Sequence, residues 1–191
     1  MSRDSSTKAL KVGIATEGPA SKEVLEAICK RNGVVYRVLS TEGKEKLFKD
    51  FHKLLFGLRH TFEANLFIIV PDLHPQVDCV SDAQRWKTEI AKRFPEAQLC
   101  LAIWETESWL LADTVALREY LGIDGDVPAP DQTGGTPPSQ WLHDAFRRAR
   151  GYKRGMAFDK RTDGVELAKR IDLELTAGRS PSFRRFLSML H

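Results

Sequence analysis

Residues Leu66–Val70 read Leu-Phe-Ile-Ile-Val, five apolar residues with no polar break. A strand with one wet face alternates polar and apolar side chains, whereas an unbroken apolar run is that of a strand covered on both faces, as in the middle of a parallel sheet. The segments around it follow the same plan. Leu10–Thr16 and Val34–Leu39 predict two more strands, and Gln98–Trp104 a fourth, buried one. Between them lie helix patterns. Ser21–Arg31 sets Val24, Leu25 and Ile28 at helical spacing, with Pro19 near the first turn, where its missing N–H has no partner to lose, and Gly33 at the stop. Lys44–Phe62 carries Leu47, Phe48, Phe51, Leu54, Leu55 and Leu58 on one broad face. Ser81 is placed to cap a helix running to about Phe94, and Ser108–Leu121 follows the last strand as one helix. Strand and helix in alternation imply an α/β chain: a Rossmann-like, mostly parallel sheet with helices on both faces.

The pattern changes at Gly122–Ser139, which holds four Pro and four Gly and cannot be a regular helix or strand. It divides an expected α/β core over 9–121 from a basic C-terminal helical extension over 140–191, expected to pack on that core. That extension is read as three helices, Gln140–Arg150, Gly164–Thr176 and a last one opened by Ser180-Pro181. Charge divides at the same place. Residues 140–191 carry twelve Lys and Arg against six Asp and Glu, although the whole chain is only +3. Arg147, Arg150, Arg154, Lys160 and Arg161 in that basic stretch are the candidates for contacting a polyanion, nucleic acid before others, through its phosphates. The alternative is a solvated helix face. Cys29, Cys79 and Cys100 form neither a disulfide framework nor a zinc spacing. No apolar run approaches the roughly 20 residues that span a bilayer, and the start lacks a signal-peptide pattern, so a cytoplasmic protein with no membrane partner is expected.

Ligands of open parallel sheets bind beyond the carboxyl ends of the strands. Acidic residues stand at three such predicted ends: Glu17, Asp72 and Glu105, with Asp78 and Glu107 close by. Carboxylates gathered at one rim repel each other and invite a hard cation, Mg²⁺ or Mn²⁺, with room left for water and phosphate. The competing explanation is that each acid simply sits at a helix N-terminus, where the dipole stabilises it. Trp109 is expected in the core, and Trp86 and Trp141 half-buried on helices. No GxxxxGK[ST] or GxGxxG loop, G-x-S-x-G elbow or HExxH pair occurs, which argues against an intrinsic NTPase, a dinucleotide enzyme, a serine hydrolase elbow and a zincin.

These residues also carry a resemblance. Glu17-Gly18 after the first strand, Pro71-Asp72-Leu73-His74 after the third, and the string Trp104-Glu105-Thr106-Glu107-Ser108-Trp109-Leu110-Leu111-Ala112-Asp113 look like a TOPRIM-like family of uncharacterised prokaryotic proteins. That family is similar to the nuclease domains of OLD-type (overcoming lysogenization defect) proteins and is often encoded beside AAA-type ATPases. The likeness runs on through Tyr152-Lys153 to Ser182-Phe183-Arg184-Arg185-Phe186-Leu187. It implies a TOPRIM core and metal-dependent phosphodiester cleavage, in defence against phage or other mobile DNA with an ATPase partner. Glu17, Asp72, Glu105 and Glu107 are then the metal-site acids, Glu17 doubles as general base, and Lys153 stabilises the scissile phosphate or leaving oxygen. One departure matters. The family's Asp-x-Asp is Asp72-Leu73-His74 here, so His74 stands where a second aspartate is expected, with Asp78 as a substitute ligand from the same loop. Neutral imidazole suits Mn²⁺ better than Mg²⁺. A degenerate, non-catalytic binding subunit and a phosphatase acting on small phosphate esters are the alternatives.

Overall fold

The computed structural model describes residues 9–74, 79–123, 127, 135–151 and 157–191. Its centre is a parallel sheet of β1 (Lys11–Thr16), β2 (Val35–Ser40), β3 (Leu66–Val70) and β5 (Ala97–Leu99), in the order β2-β1-β3-β5. Beyond the ends of β3 and β5 the two chains pair again, as β4 (Asp72–Leu73) and β6 (Ala102–Ile103). The expected single strand Gln98–Trp104 is therefore two short pieces, bridged by Cys100 N–H to Ile69 O at 2.9 Å and Ala102 N–H to Pro71 O at 3.0 Å.

The sheet is covered on both faces, as the Leu66–Val70 run demands. Alternation along β1 sends Val12 and Ile14 to one side and Ala15 to the other. On the second side α2 (Lys44–Thr61) and α3 (Cys79–Arg93) bury Leu47, Phe51, Leu55, Leu58, Trp86 and Ile90. Close approach there depends on Gly13, where an added Cβ would lie 3.0 Å from Ala64 Cβ and 3.2 Å from Leu58. Trp86, expected half-buried, is fully enclosed, with Phe48 edge-on to it at 4.9 Å. On the first side lie α1 (Pro19–Arg31) and the C-terminal helices. Helix α1 ends as its sequence requires: Gly33 adopts φ +71°, and Val34 N–H reaches back to Cys29 O.

The segment expected as one helix, Ser108–Leu121, is α4 (Glu107–Ala112) and α5 (Thr114–Leu121), split at Asp113. Asp113 Oδ1 accepts from Val115 N–H and Ala116 N–H, an N-cap in the middle of the pattern. Then come α6 (Pro138–Arg150), α7 (Asp163–Ala168), α8 (Leu173–Arg179) and α9 (Pro181–Ser188). The expected helix Gly164–Thr176 is likewise two, because Asp172 caps α8 through Leu175 N–H. Helix α3 begins at Cys79 rather than after Ser81, whereas Ser180 does cap α9. The tail is fused to the sheet domain: Leu142, Phe146, Leu167, Ile171, Phe183, Phe186 and Leu190 join Val12, Ile14, Ile68 and Trp109 in one apolar cluster.

Candidate functional site at the strand ends

In the order β2-β1-β3-β5 the chain reverses direction across the sheet between β1 and β3, and the crevice at their carboxyl ends is where such folds hold ligands. Glu17 ends β1 there and Asp72 follows β3. They are tied together, since Asp72 N–H donates to Glu17 Oε1 at 2.8 Å. Asp72 Oδ1 in turn accepts from Thr106 N–H at 3.1 Å, which fixes the turn into α4 over the crevice. No described residue donates a hydrogen bond to Glu17 Oε2 or Asp72 Oδ2.

The approach to that turn is strained. Trp104 holds φ +65°, a left-handed conformation that costs a residue with Cβ roughly 1–2 kcal/mol. Its N–H is anchored on Leu73 O at 2.9 Å, and the turn brings Glu105, Thr106 and Glu107 to the rim, all buried. Glu105 Oε2 accepts from Ser139 N–H at 3.0 Å, in the first turn of α6, so this acid does complement a helix N-terminus. Glu107 Oε1 pairs with Lys160 Nζ at 2.8 Å, and its Oε2 lies 3.3 Å from Thr106 Oγ1. That hydroxyl is also 3.2 Å from Ser21 Oγ on α1.

Burial dominates the electrostatics of Glu17 and Asp72. Burial pushes the Glu17 carboxyl above its ordinary range; the Asp72 amide and Lys44 pull it down, while Asp82 and Glu105 push it further up. Asp72 keeps some exposed surface, but its carboxyl sits among protein atoms and is raised well above the ordinary value. Burial is the largest cause, followed by the charges of Glu17, Glu107 and Glu105, with Lys160 opposing. Lys160 is raised although burial acts against it, because Glu107, Glu105 and Asp72 hold its proton. Among the described residues no Lys or Arg forms an ion pair with Glu17 or Asp72. Glu107 has one, and Lys44 is paired instead with the buried Asp82 at 2.7 Å.

The sequence-derived residues thus separate. Glu17, Asp72, Glu105 and Glu107 converge. His74 is exposed beyond β4, and no described hydrogen bond or ion pair joins it to them. Asp78, Lys153 and Arg154 lie outside the described residues. Of the basic candidates, Lys160 enters the acidic rim. Arg150 pairs with the buried Asp163 at 2.9 Å and stacks over Phe146, and Arg161 pairs with Glu23 at 2.6 Å. Arg147 is partly buried on α6. Among the described residues, no three or more His, Cys, Asp or Glu side chains are spaced to cage one metal ion. Sequence reading missed Lys44, Asp82 and Thr106. No sequence signal marks Lys44, which follows Gly43, whose N–H donates to Glu17 O at 2.9 Å.

The C-terminal region of the Burkholderia pseudomallei OLD protein is similar in structure, with a TM-score of 0.46 and 14% identity over 96% of this chain and 97% of that one. A likeness at that level carries no conclusion about activity. In sequence, the family described as a domain of unknown function, DUF4276, matches residues 16–191, from the last residue of β1 through α9, and the chain belongs to that family.

Proposed function

We propose that this chain is a metal-dependent phosphodiesterase of the nuclease type. The observation that carries the proposal is the pair Glu17 and Asp72, tied end to end at the reversal point of the sheet, both with raised carboxyl pKa values and neither ion-paired to a described cation. Mg²⁺ is commonly held by one or two carboxylates, with waters and phosphate oxygens completing its shell. Glu17 and Asp72, with Glu105 beside them, suit that arrangement better than an all-protein cage, and Mn²⁺ would accept the same oxygens. When bound, the cation would supply Lewis acidity and an activated water. Glu17, held in orientation by the Asp72 amide, is suited to take a proton, because burial has raised its basicity above that of an ordinary carboxylate. Lys160 sets a positive charge within the acidic rim for a phosphate to meet. Lys153, outside the described residues, is the further candidate for the leaving oxygen. DNA is the expected substrate, and defence against mobile DNA beside an AAA-type ATPase is the setting the family resemblance suggests.

A second reading has its own support. Glu105 accepts a hydrogen bond from Ser139 N–H and Glu107 is ion-paired with Lys160, so half of the acidic rim is already engaged by residues beyond the sheet, as in a binding subunit without catalysis. Supercoiled plasmid incubated with the protein in Mg²⁺, Mn²⁺ or Ca²⁺ separates the two. Metal-dependent nicking that falls by about 10²-fold or more in Glu17→Gln and in Asp72→Asn is the expected result. Salt-sensitive binding with no cleavage in any metal establishes the second reading. Variants that cut as fast as the parent overturn the active site.

A further inference from the structure

Among the described residues, no strand pairs with the edge of the sheet away from β2. Along 97–104 the amides of Cys100, Ala102 and Trp104 donate inward to Ile69 O, Pro71 O and Leu73 O. Because successive residues of a strand face opposite ways, Leu101 and Ile103 direct their backbone groups outward. Among the described residues nothing bonds the N–H or C=O of Leu101, or the N–H of Ile103. Among the described residues, a side chain reaches this edge at its Leu99 end, where Arg185 Nε donates to Leu99 O at 3.4 Å. Ile103 is 48% exposed, a large apolar side chain beside unpaired backbone. Two cavities meet there, sharing Ile103, Pro181 and Ser182: one of about 350 Å³ reaching Lys87 on α3, one of about 400 Å³ reaching Arg179 and Ser108. Ser108 Oγ is buried without a hydrogen-bond partner among the described residues.

Native proteins usually blunt an open edge, because unpaired backbone there templates a foreign strand. We propose that this groove, between α3 and α9, takes an extended acidic segment of a partner protein, added to the sheet alongside Leu101 and Ile103. Strand addition draws affinity from main-chain hydrogen bonds and specificity from pockets for alternate side chains. Charge selects the partner. Lys87, Arg179 and Arg185 surround the groove, and none forms an ion pair with a described carboxylate, so a second copy of the same basic edge is repelled and carboxylates are attracted. The groove borders the acid rim through Trp104 and Ser108 but includes none of its carboxylates, and the inference does not depend on the catalytic reading.

The test uses the full chain and two short synthetic peptides, one alternating Val with Glu and one alternating Val with Lys. Amide hydrogen exchange, read residue by residue, is expected to slow by about tenfold or more at Leu101 and Ile103 with the Glu peptide and to stay unchanged with the Lys peptide. Fluorescence anisotropy should show about tenfold weaker binding of the Glu peptide to Lys87→Glu and to Arg185→Glu. Both side chains are exposed, and an unchanged melting temperature shows that the variants are folded. No slowing at Leu101 and Ile103, equal binding of both peptides, or protection confined to Arg147–Arg150 would each overturn the proposal.

Discussion

At the scale of single residues, Asp72 is held where its charge is unwelcome, and that has a thermodynamic signature. A group whose pKa is higher folded than unfolded keeps its proton in the native state over a range where the unfolded chain has lost it. The native state then binds more protons, and stability falls as pH rises through that range, from about pH 4 upward for an aspartate. Metal-free protein should therefore lose stability towards neutral pH, and Asp72→Asn should remove part of that loss. The Asn oxygen can still accept from Thr106 N–H. At pH 7 the variant should be more stable by about 0.5–2 kcal/mol, the usual gain when a functional strain is relieved, with a flatter dependence of melting temperature on pH. A variant less stable than its parent at pH 7 would mean that the carboxylate is compensated by something other than Lys160. The Lys160–Glu107 pair works in the opposite sense. Lys160→Ala leaves a buried carboxylate without its cation and should cost about 1–3 kcal/mol, reduced from the fully buried case because Lys160 keeps 44% of its side chain exposed. Adding Glu107→Gln should recover much of the loss, and chemical denaturation of the four proteins closes the cycle.

At the scale of elements, short aspartates decide where helices begin and end. The apolar spacing of Ser108–Leu121 is continuous, so period alone reads it as one helix. Asp113 stops it by offering its carboxylate to the next amides, and its other oxygen takes Asp172 N–H at 2.7 Å, fastening the start of α8 from 59 residues away. Asp113→Ala should destabilise by about 2 kcal/mol or more, since a cap and a buried hydrogen bond are lost together, while Asp113→Asn should cost less. Equal melting temperatures for the two variants would deny Asp113 this double role. This is also where legibility in the sequence divides. Glu17 and Asp72 were legible because they close apolar runs, and parallel strands place their carboxyl ends side by side. The partners of Glu105 and Glu107 were not. Ser139 is the last residue of the Pro/Gly-rich segment and Lys160 approaches from beyond it, and a lysine within a basic stretch carries no local sign that it will turn inward onto an acid. Likewise Gln98–Trp104 reads as one strand, and the break at Cys100-Leu101 comes from how β3 and β4 pair with it.

For the molecule as a whole, the composition shift at 122–139 marks off a tail from the sheet, and burial joins the two. Trp109 on α4 is fully enclosed by Phe183 and Phe186 of α9, with ring centroids 5.3 Å away in both cases, and its indole N–H donates to Ser182 Oγ at 2.9 Å. Arg31 of α1 donates to the carbonyls of Ala168 and Ile171 at the end of α7. Each fully buried aliphatic or aromatic side chain contributes roughly 1.5–3 kcal/mol, and α6, α7 and α9 supply several to the face that also covers β1 and β3. Removing those helices would expose Val12, Ile14, Ile68 and Trp109 together, a loss of about 6–12 kcal/mol at that rate, comparable with the whole 5–15 kcal/mol by which a domain is stable. The sheet and the tail should therefore unfold as one unit. Calorimetry on the full chain should give a single transition with equal calorimetric and van't Hoff enthalpies, and a chain ending at residue 137 should fail to give a cooperative one. Two separated transitions, or a truncated chain that melts like the parent, would show that the sheet holds its own core. The tail would then act on the acid rim only through Ser139 and Lys160, and not through the core beneath it.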